Sequence, residues 1–177
     1  MRITKSDVIQ TAADIADKNG LSIVSLKAVA ESLNIRTPSL YNHIDSLEAL
    51  LREIAHNGMK TMNERMMQAA IGKIGDDAIK SVGITYLNYM IEHPGIYETI
   101  QWATWHGTEE TGKIFDNYLS LLKTLALSCN FNPVNIDEIL NLLTGVLHGY
   151  TTLQLRYAFT KPDEVRTALS AALDTVL

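Results

Sequence analysis

Between Ser25 and Leu51 the chain reads SLKAVAESLNIRTPSLYNHIDSLEALL, and few folds accept this stretch. Ser25 is placed to cap a short helix, because its hydroxyl can accept a backbone N–H two or three residues on. Leu26, Val29, Ala30 and Leu33 then share one helical face. Asn34 follows the last apolar position, and asparagine tolerates a left-handed backbone at low cost. Ile35 returns to the core. Thr37 and Pro38 predict the cap and first residue of a second short helix, where proline has no N–H to lose. Leu40, Tyr41 and Ile44 face inward or half inward, and Asp45 with Glu48 predicts a capping box for the next helix.

Two short helices joined so tightly match a helix-turn-helix, whose second helix is exposed on one side and fits a DNA major groove. Arg36, Thr37, Ser39, Asn42 and His43 stay outside, with Tyr41 at the margin. All can donate hydrogen bonds and none is a carboxylate, which suits a polyanion. Arg36, Thr37, Ser39 and Asn42 are expected nearest the base edges. Lys27, Tyr41, His43 and the Ser25 end of its helix are expected at phosphates, with Arg2 and Lys5 reaching the DNA backbone. The competing reading is an ordinary helical hairpin whose polar residues only cap and solvate it.

Charge bears on this reading. The chain has 177 residues and a formal net charge of -5. Residues 1–60 carry seven Lys/Arg and seven Asp/Glu, so the acidic excess lies wholly in residues 61–177. A neutral module still binds DNA if its few cations face the phosphates, and its non-specific affinity is then weak.

The rest of the chain shows helical periodicity and no clear strand alternation. A first helix spans 4–19, capped by Thr4 with Asp7 and stopped by Gly20. A long fourth helix, about Leu47 to Ala70, is apolar toward the module and then rich in methionine. Further helices are expected near 76–92, 95–105, 108–128, 135–157, and from Lys161 or Pro162 to the end. His93, Pro94 and Gly95 punctuate the series, and the loop 129–135 breaks it later. The architecture is therefore all-α: a three-helix helix-turn-helix module (1–47) joined by the long fourth helix to a helical regulatory and dimerisation domain (48–177).

The last two helices carry more apolar surface than one protomer can cover. Ile139, Leu143, Val146, Leu153, Val165, Leu169, Leu173 and Val176 are expected to form a four-helix seam with a second copy. The competing reading buries them inside one protomer. Met62, Met66, Tyr86, Met90, Tyr97, Trp102, Trp105, His106, Tyr118 and His148 are candidates for a largely apolar pocket with a few polar points, which suits a small-molecule effector. Plain core is the alternative for these residues too, and His106 can equally satisfy a backbone group.

Other classes find little support. His43, His56, His93, His106 and His148 are scattered, with no carboxylate or cysteine at metal-site spacing, so neither a metal nor another cofactor is implied. His56 and Lys60 share a face in ordinary surface patterning. Cys129 stands alone, excludes an internal disulfide, and has no local base to activate it. No signal segment or 18-residue apolar run occurs, so the expected compartment is the cytoplasm, with no membrane partner. The rivals that remain are a ligand-independent regulator and a helical adaptor binding protein through its methionine-rich helix.

The stretch AVAESLNIRTPSLYNHIDSLEALLREI, with Gly20 before it, resembles the TetR family of bacterial transcription regulators. The family pattern Val-Ala-x-x-Leu-Gly, Leu-Tyr-x-His-Phe, Leu-Leu is met by Val29, Ala30, Leu33, Asn34, then Leu40, Tyr41, His43, Ile44, then Leu50, Leu51. Asn34 replaces the usual Gly, Ile44 the usual Phe, and Leu47 the lysine that often opens the fourth helix. The resemblance implies a dimeric, all-helical, ligand-responsive DNA-binding regulator, most often a repressor, with Tyr41 and His43 at or near the phosphates. Residues 80–177 are similar to a subgroup with a Trp-His-Gly signature, here Trp105, His106 and Gly107.

Overall fold

The computed structural model describes residues 3–129, 135–156, 159 and 161–177. Among them the order is α1 (Lys5–Asn19), a 3-10 turn (Leu21–Ile23), α2 (Leu26–Ser32), a 3-10 segment (Thr37–Asn42), α3 (Leu47–Ala70), α4 (Gly75–Glu92), α5 (Pro94–His106), α6 (Glu109–Ser128), α7 (Ile136–Leu155) and α8 (Pro162–Val176). No strand occurs among the described residues, so the all-α expectation holds. Arg2, residues 130–134 of the loop after Cys129, and Tyr157 at the expected end of the eighth helix lie outside the described residues.

Local chemistry sets the helix ends. Thr4 Oγ1 accepts the Asp7 N–H (3.2 Å) and Asp7 Oδ2 accepts the Thr4 N–H (2.8 Å), a complete capping box. Gly20, at φ 86°, ends α1, and its N–H donates to the Ala16 carbonyl. Ser25 Oγ accepts the Ala28 N–H at 3.1 Å, starting α2. Asn34 is left-handed (φ 54°), and the N–H groups of Ile35 and Asn34 donate to the carbonyls of Ala30 and Glu31. That pair of bonds is a Schellman ending, which Asn34 closes without glycine.

Two local expectations need correction. The cap of α3 is Ser46, whose Oγ accepts the Ala49 N–H at 3.1 Å, and not Asp45. A side chain caps from the position whose own backbone is still extended, and here that position lies one residue later. The second helix of the turn motif is a 3-10 segment: Ser39 donates to Arg36 and His43 to Leu40, both i to i+3. Six residues with proline near the start have few amides to lengthen into an α-helix.

The chain divides into two compact units. The first is Met1–Lys60 with His93–Ile114, and the second is Thr61–Glu92 with Phe115–Leu177. Both α3 and α6 begin in the first unit and end in the second. The core of the first is small-residue rich: Val8, Ala12, Ala16, Val29, Ala30, Leu40, Leu50 and Ile54 are buried, with Ile96 and Trp102 packed against them. Small side chains at crossings let short helices approach closely.

In the second unit α4 is central, packing on α7 and α8, which also pack on each other. A Cβ at Gly83 would lie 3.1 Å from both Leu147 and Leu173, so the absent side chain sets that close approach. Leu143, Val165, Leu169 and Leu173, expected at a seam between copies, are buried inside the protomer. They occupy the inner faces of α7 and α8. Apolar composition shows that both faces are covered, but not which face the protomer itself covers.

Candidate nucleic-acid interface

The 3-10 segment is held from below and open above. Leu40 and Ile44 are buried in the first unit's core with Val29 and Ala30. Arg36, Tyr41 and Asn42 are exposed, Tyr41 by 58%, while Thr37, Ser39 and His43 are half-buried. Anchoring on Leu40 alone in this short turn leaves the other side chains to solvent. The surface so formed carries a guanidinium, a phenol, an amide and two hydroxyls, all hydrogen-bond donors.

The cations around it are engaged in the protein itself. Lys5 pairs with Glu53, and Lys27 lies 3.8 Å from Glu31 with both side chains exposed. Exposed pairs of this kind are weak and yield readily to a phosphate. Asp7 stands near His43; its hydrogen bonds from Thr4 hold its carboxyl below the usual range, and His43 adds to that lowering. Ser25 Oγ accepts the cap bond and keeps its O–H to donate to a phosphate, whose oxygens only accept.

A second set of contacts fastens α5 into the same unit. Asp17, near the end of α1, accepts the N–H groups of Gly95 (2.8 Å) and Ile96 (3.1 Å) and the Nδ1–H of His93 (2.8 Å). One carboxylate thus caps the start of a helix 78 residues away. Glu98 returns the bond by accepting the Leu21 N–H at 3.0 Å. A Cβ at Gly95 would sit 2.1 Å from the Ala16 carbonyl carbon, so α5 rides directly on the backbone of α1. The signal His93-Pro94-Gly95 read as punctuation; its partner Asp17 carried no sequence signal at all.

α3 fastens the other end. Arg52 donates to the His106 carbonyl (3.3 Å), and buried His56 meets Thr111 Oγ1 at 2.7 Å. His56 is therefore an internal pin and not surface patterning. Burial lowers its pKa, and Glu110 at 3.9 Å opposes that shift. His106 donates from Nδ1 to the Trp102 carbonyl at 2.9 Å, and the two rings stack at 4.5 Å. It satisfies a backbone group.

The ten side chains grouped as pocket candidates separate. Tyr97, Trp102, Trp105 and His106 belong to the first unit, where Trp102 packs on the core and Trp105 is 88% exposed. Trp105 and His106 stand at the exposed end of α5. Met62, Met66, Tyr86, Met90, Tyr118 and His148 all fall in the second unit, the first five buried. Burial pushes the lone Cys129 thiol up to about 11, with Asp76 adding to the shift, which disfavours its thiolate form. No helix among the described residues is long and apolar enough to cross a membrane.

Comparison with known proteins gives this architecture its place. A family profile described as "Tetracyclin repressor-like, C-terminal domain" matches residues 79–176, more than half of the chain. The Bacillus subtilis HTH-type transcriptional regulator YobS is 30% identical over 176 residues, covering 99% of this chain and 91% of its own. A Rhodococcus sp. RHA1 protein of unknown function superposes with TM-score 0.85 at 16% identity, over 99% of this chain and 94% of that one. The TetR-family regulator PfmR of Thermus thermophilus does so with TM-score 0.73 at 17% identity, over 96% of each chain. The chain belongs to the TetR family of helix-turn-helix transcriptional regulators. It is a DNA-binding regulator of that family.

Proposed function

We propose that this protein is a cytoplasmic repressor that binds one operator as a homodimer and is released by a small, largely apolar effector. Residues 1–47 are the reading head and 48–177 the regulatory and dimerisation part. The observation that carries the reading is the solvent-open face from Arg36 to His43, fixed over buried Leu40 and Ile44. Arg36, Thr37, Ser39 and Asn42 read base edges. Lys5, Ser25, Lys27, Tyr41 and His43 hold phosphates, the two lysines exchanging Glu53 and Glu31 for DNA.

Two copies present this face at successive major grooves about 34–36 Å apart or somewhat farther. The apolar stripe left outside on α7 supports the pairing. Leu142 and Leu153 are 51% and 47% exposed, Ile139 and Val146 are half-buried, and Gly149 between them opens onto empty space. Val176 on α8 joins them. We also place the protein in the subgroup with the Trp-His-Gly signature. Its Gly107 supports this, since a Cβ there would lie 2.6 Å from the Ala103 carbonyl oxygen and crowd Thr111.

Selection of binding sites from random duplexes tests the assignment. Arg36→Ala should change the preferred sequence, at about 1–3 kcal/mol for the lost base contact. Lys27→Ala should weaken all sequences alike and reduce the salt slope by about one. Identical preferences for Arg36→Ala and the parent would overturn the reading.

A further inference from the structure

Four side-chain polar atoms among the described residues are buried without a hydrogen-bond partner: Asn63 Oδ1, Tyr118 Oη, Thr144 Oγ1 and Gln154 Oε1. All four belong to the second unit. Two of them are neighbours. The Thr144 hydroxyl stands close enough to Tyr118 to act on the phenol, yet the two do not reach hydrogen-bond geometry. Such a pair leaves buried hydrogen-bonding capacity unmet on both hydroxyls.

The surroundings are polar but uncharged. The Tyr118 ring lies 6.1 Å from that of Tyr86, whose hydroxyl is 3.2 Å from His148 Nδ1. Thr144 and His148 stand one turn apart on α7. Burial pushes Tyr118 up to about 12 and pushes His148 below its ordinary value. No ionised group contributes to either shift. A carboxylate or an ammonium brought here would meet no opposite charge and would lose its hydration. A ligand oxygen would meet two hydroxyls able to donate to it.

We infer that the Tyr118 and Thr144 hydroxyls are the hydrogen-bonding anchor for a neutral, mainly apolar effector bearing a hydroxyl or carbonyl oxygen. This rests on the reading above that an effector binds the regulatory part, and adds its chemical class and its point of attachment. Thr144 was not among the residues that periodicity singled out, because a lone threonine on an apolar helix looks like packing.

Thermal unfolding of the full-length protein tests this with phenol, acetophenone, toluene, benzoate and benzylamine. Phenol and acetophenone should raise the midpoint at roughly tenfold lower concentration than toluene, the factor one hydrogen bond supplies. Benzoate and benzylamine should have no effect. The double variant Tyr118→Phe/Thr144→Val should unfold at the parent's midpoint or above it, having lost two unpartnered hydroxyls, and should no longer distinguish phenol from toluene. Thr144→Val alone should show a smaller loss of that distinction. A lower midpoint for the variants in the absence of probe would overturn the inference, since it would mean that a buried water satisfies the hydroxyls. Equal stabilisation by benzoate, retained discrimination in the double variant, or no response to either oxygen-bearing probe would overturn it too. Operator release is measured separately. A probe that binds through these hydroxyls without loosening DNA leaves the anchor in place and removes the release mechanism.

Discussion

Among the described residues, the first compact unit joins polar groups across long sequence distances, whereas the second leaves some buried side-chain oxygens unmet. In the first, Asp17, Glu98, Arg52 and His56 each join segments more than 50 residues apart, and these bonds end on a backbone group or a buried hydroxyl. In the second, cross-helix bonds such as Arg166 to Asn88 (2.7 Å) coexist with buried oxygens that meet nothing. The difference suits the two tasks. A reading head must hold one geometry, because base contacts reward only the correct register. A region that takes up a ligand must keep some groups unsatisfied until the ligand comes.

The sharpest way to break the first unit is at its closest approach. Gly95→Ala forces a Cβ against the Ala16 and Asp17 backbone, which cannot yield as a side chain would. We expect a loss of about 3 kcal/mol, the upper end of overpacking, read by denaturant unfolding. Gly145→Ala in the second unit faces open space and should cost nothing measurable in the monomer. A loss under about 1 kcal/mol for Gly95→Ala, the low end of overpacking, would mean that α5 is free to shift on α1.

Removing the cap comes next. Asp17→Ala strips the acceptor from two amides of α5 and the partner from His93. About 2 kcal/mol of stability should be lost. Asp17→Asn should recover part of this, because its carbonyl oxygen still accepts. Equal losses for the two substitutions would show that packing, and not the capping bonds, holds this joint.

The smallest effect compares two imidazoles, buried His56 and half-buried His148. Burial lowers the pKa of His56 in the first unit and of His148 in the second, so between the folded and unfolded values the folded chain binds fewer protons. Stability is then fully present above the ordinary imidazole value of 6.5 and is lost as pH falls through it toward the folded values. The melting midpoint should drop as pH falls below the ordinary histidine value of about 6.5. His56→Gln and His148→Gln should each flatten that slope. Unchanged slopes in both variants would show that neither histidine is buried neutral.

Much of the candidate interface was legible in the sequence because local rules set it. Thr4 with Asp7, Gly20, Ser25 and Asn34 each act within a few residues, and each ends or starts a helix where periodicity placed the boundary. The exposure of Arg36 and Asn42 followed from the burial of Leu40 and Ile44 on the same turn, whereas Tyr41, expected half inward, is 58% exposed. Less could be read of the body. Periodicity groups side chains into faces, but it does not say which face meets a neighbour and which meets solvent. Leu143 and Leu142 are adjacent on α7, yet one is core and the other is half exposed.

What the sequence determined by itself, then, is the succession of helices, their caps and the donor-rich turn, since these depend on hydrogen bonds and side chains a few residues apart. Only the tertiary structure decided the rest. It set Asp17 under the start of α5, turned Leu169 and Leu173 inward, put Trp105 and His106 in a different unit from Tyr118, and left the Tyr118 and Thr144 hydroxyls without partners. Each of these depends on which segments far apart in the chain come together, and no pattern of neighbouring residues carries that information.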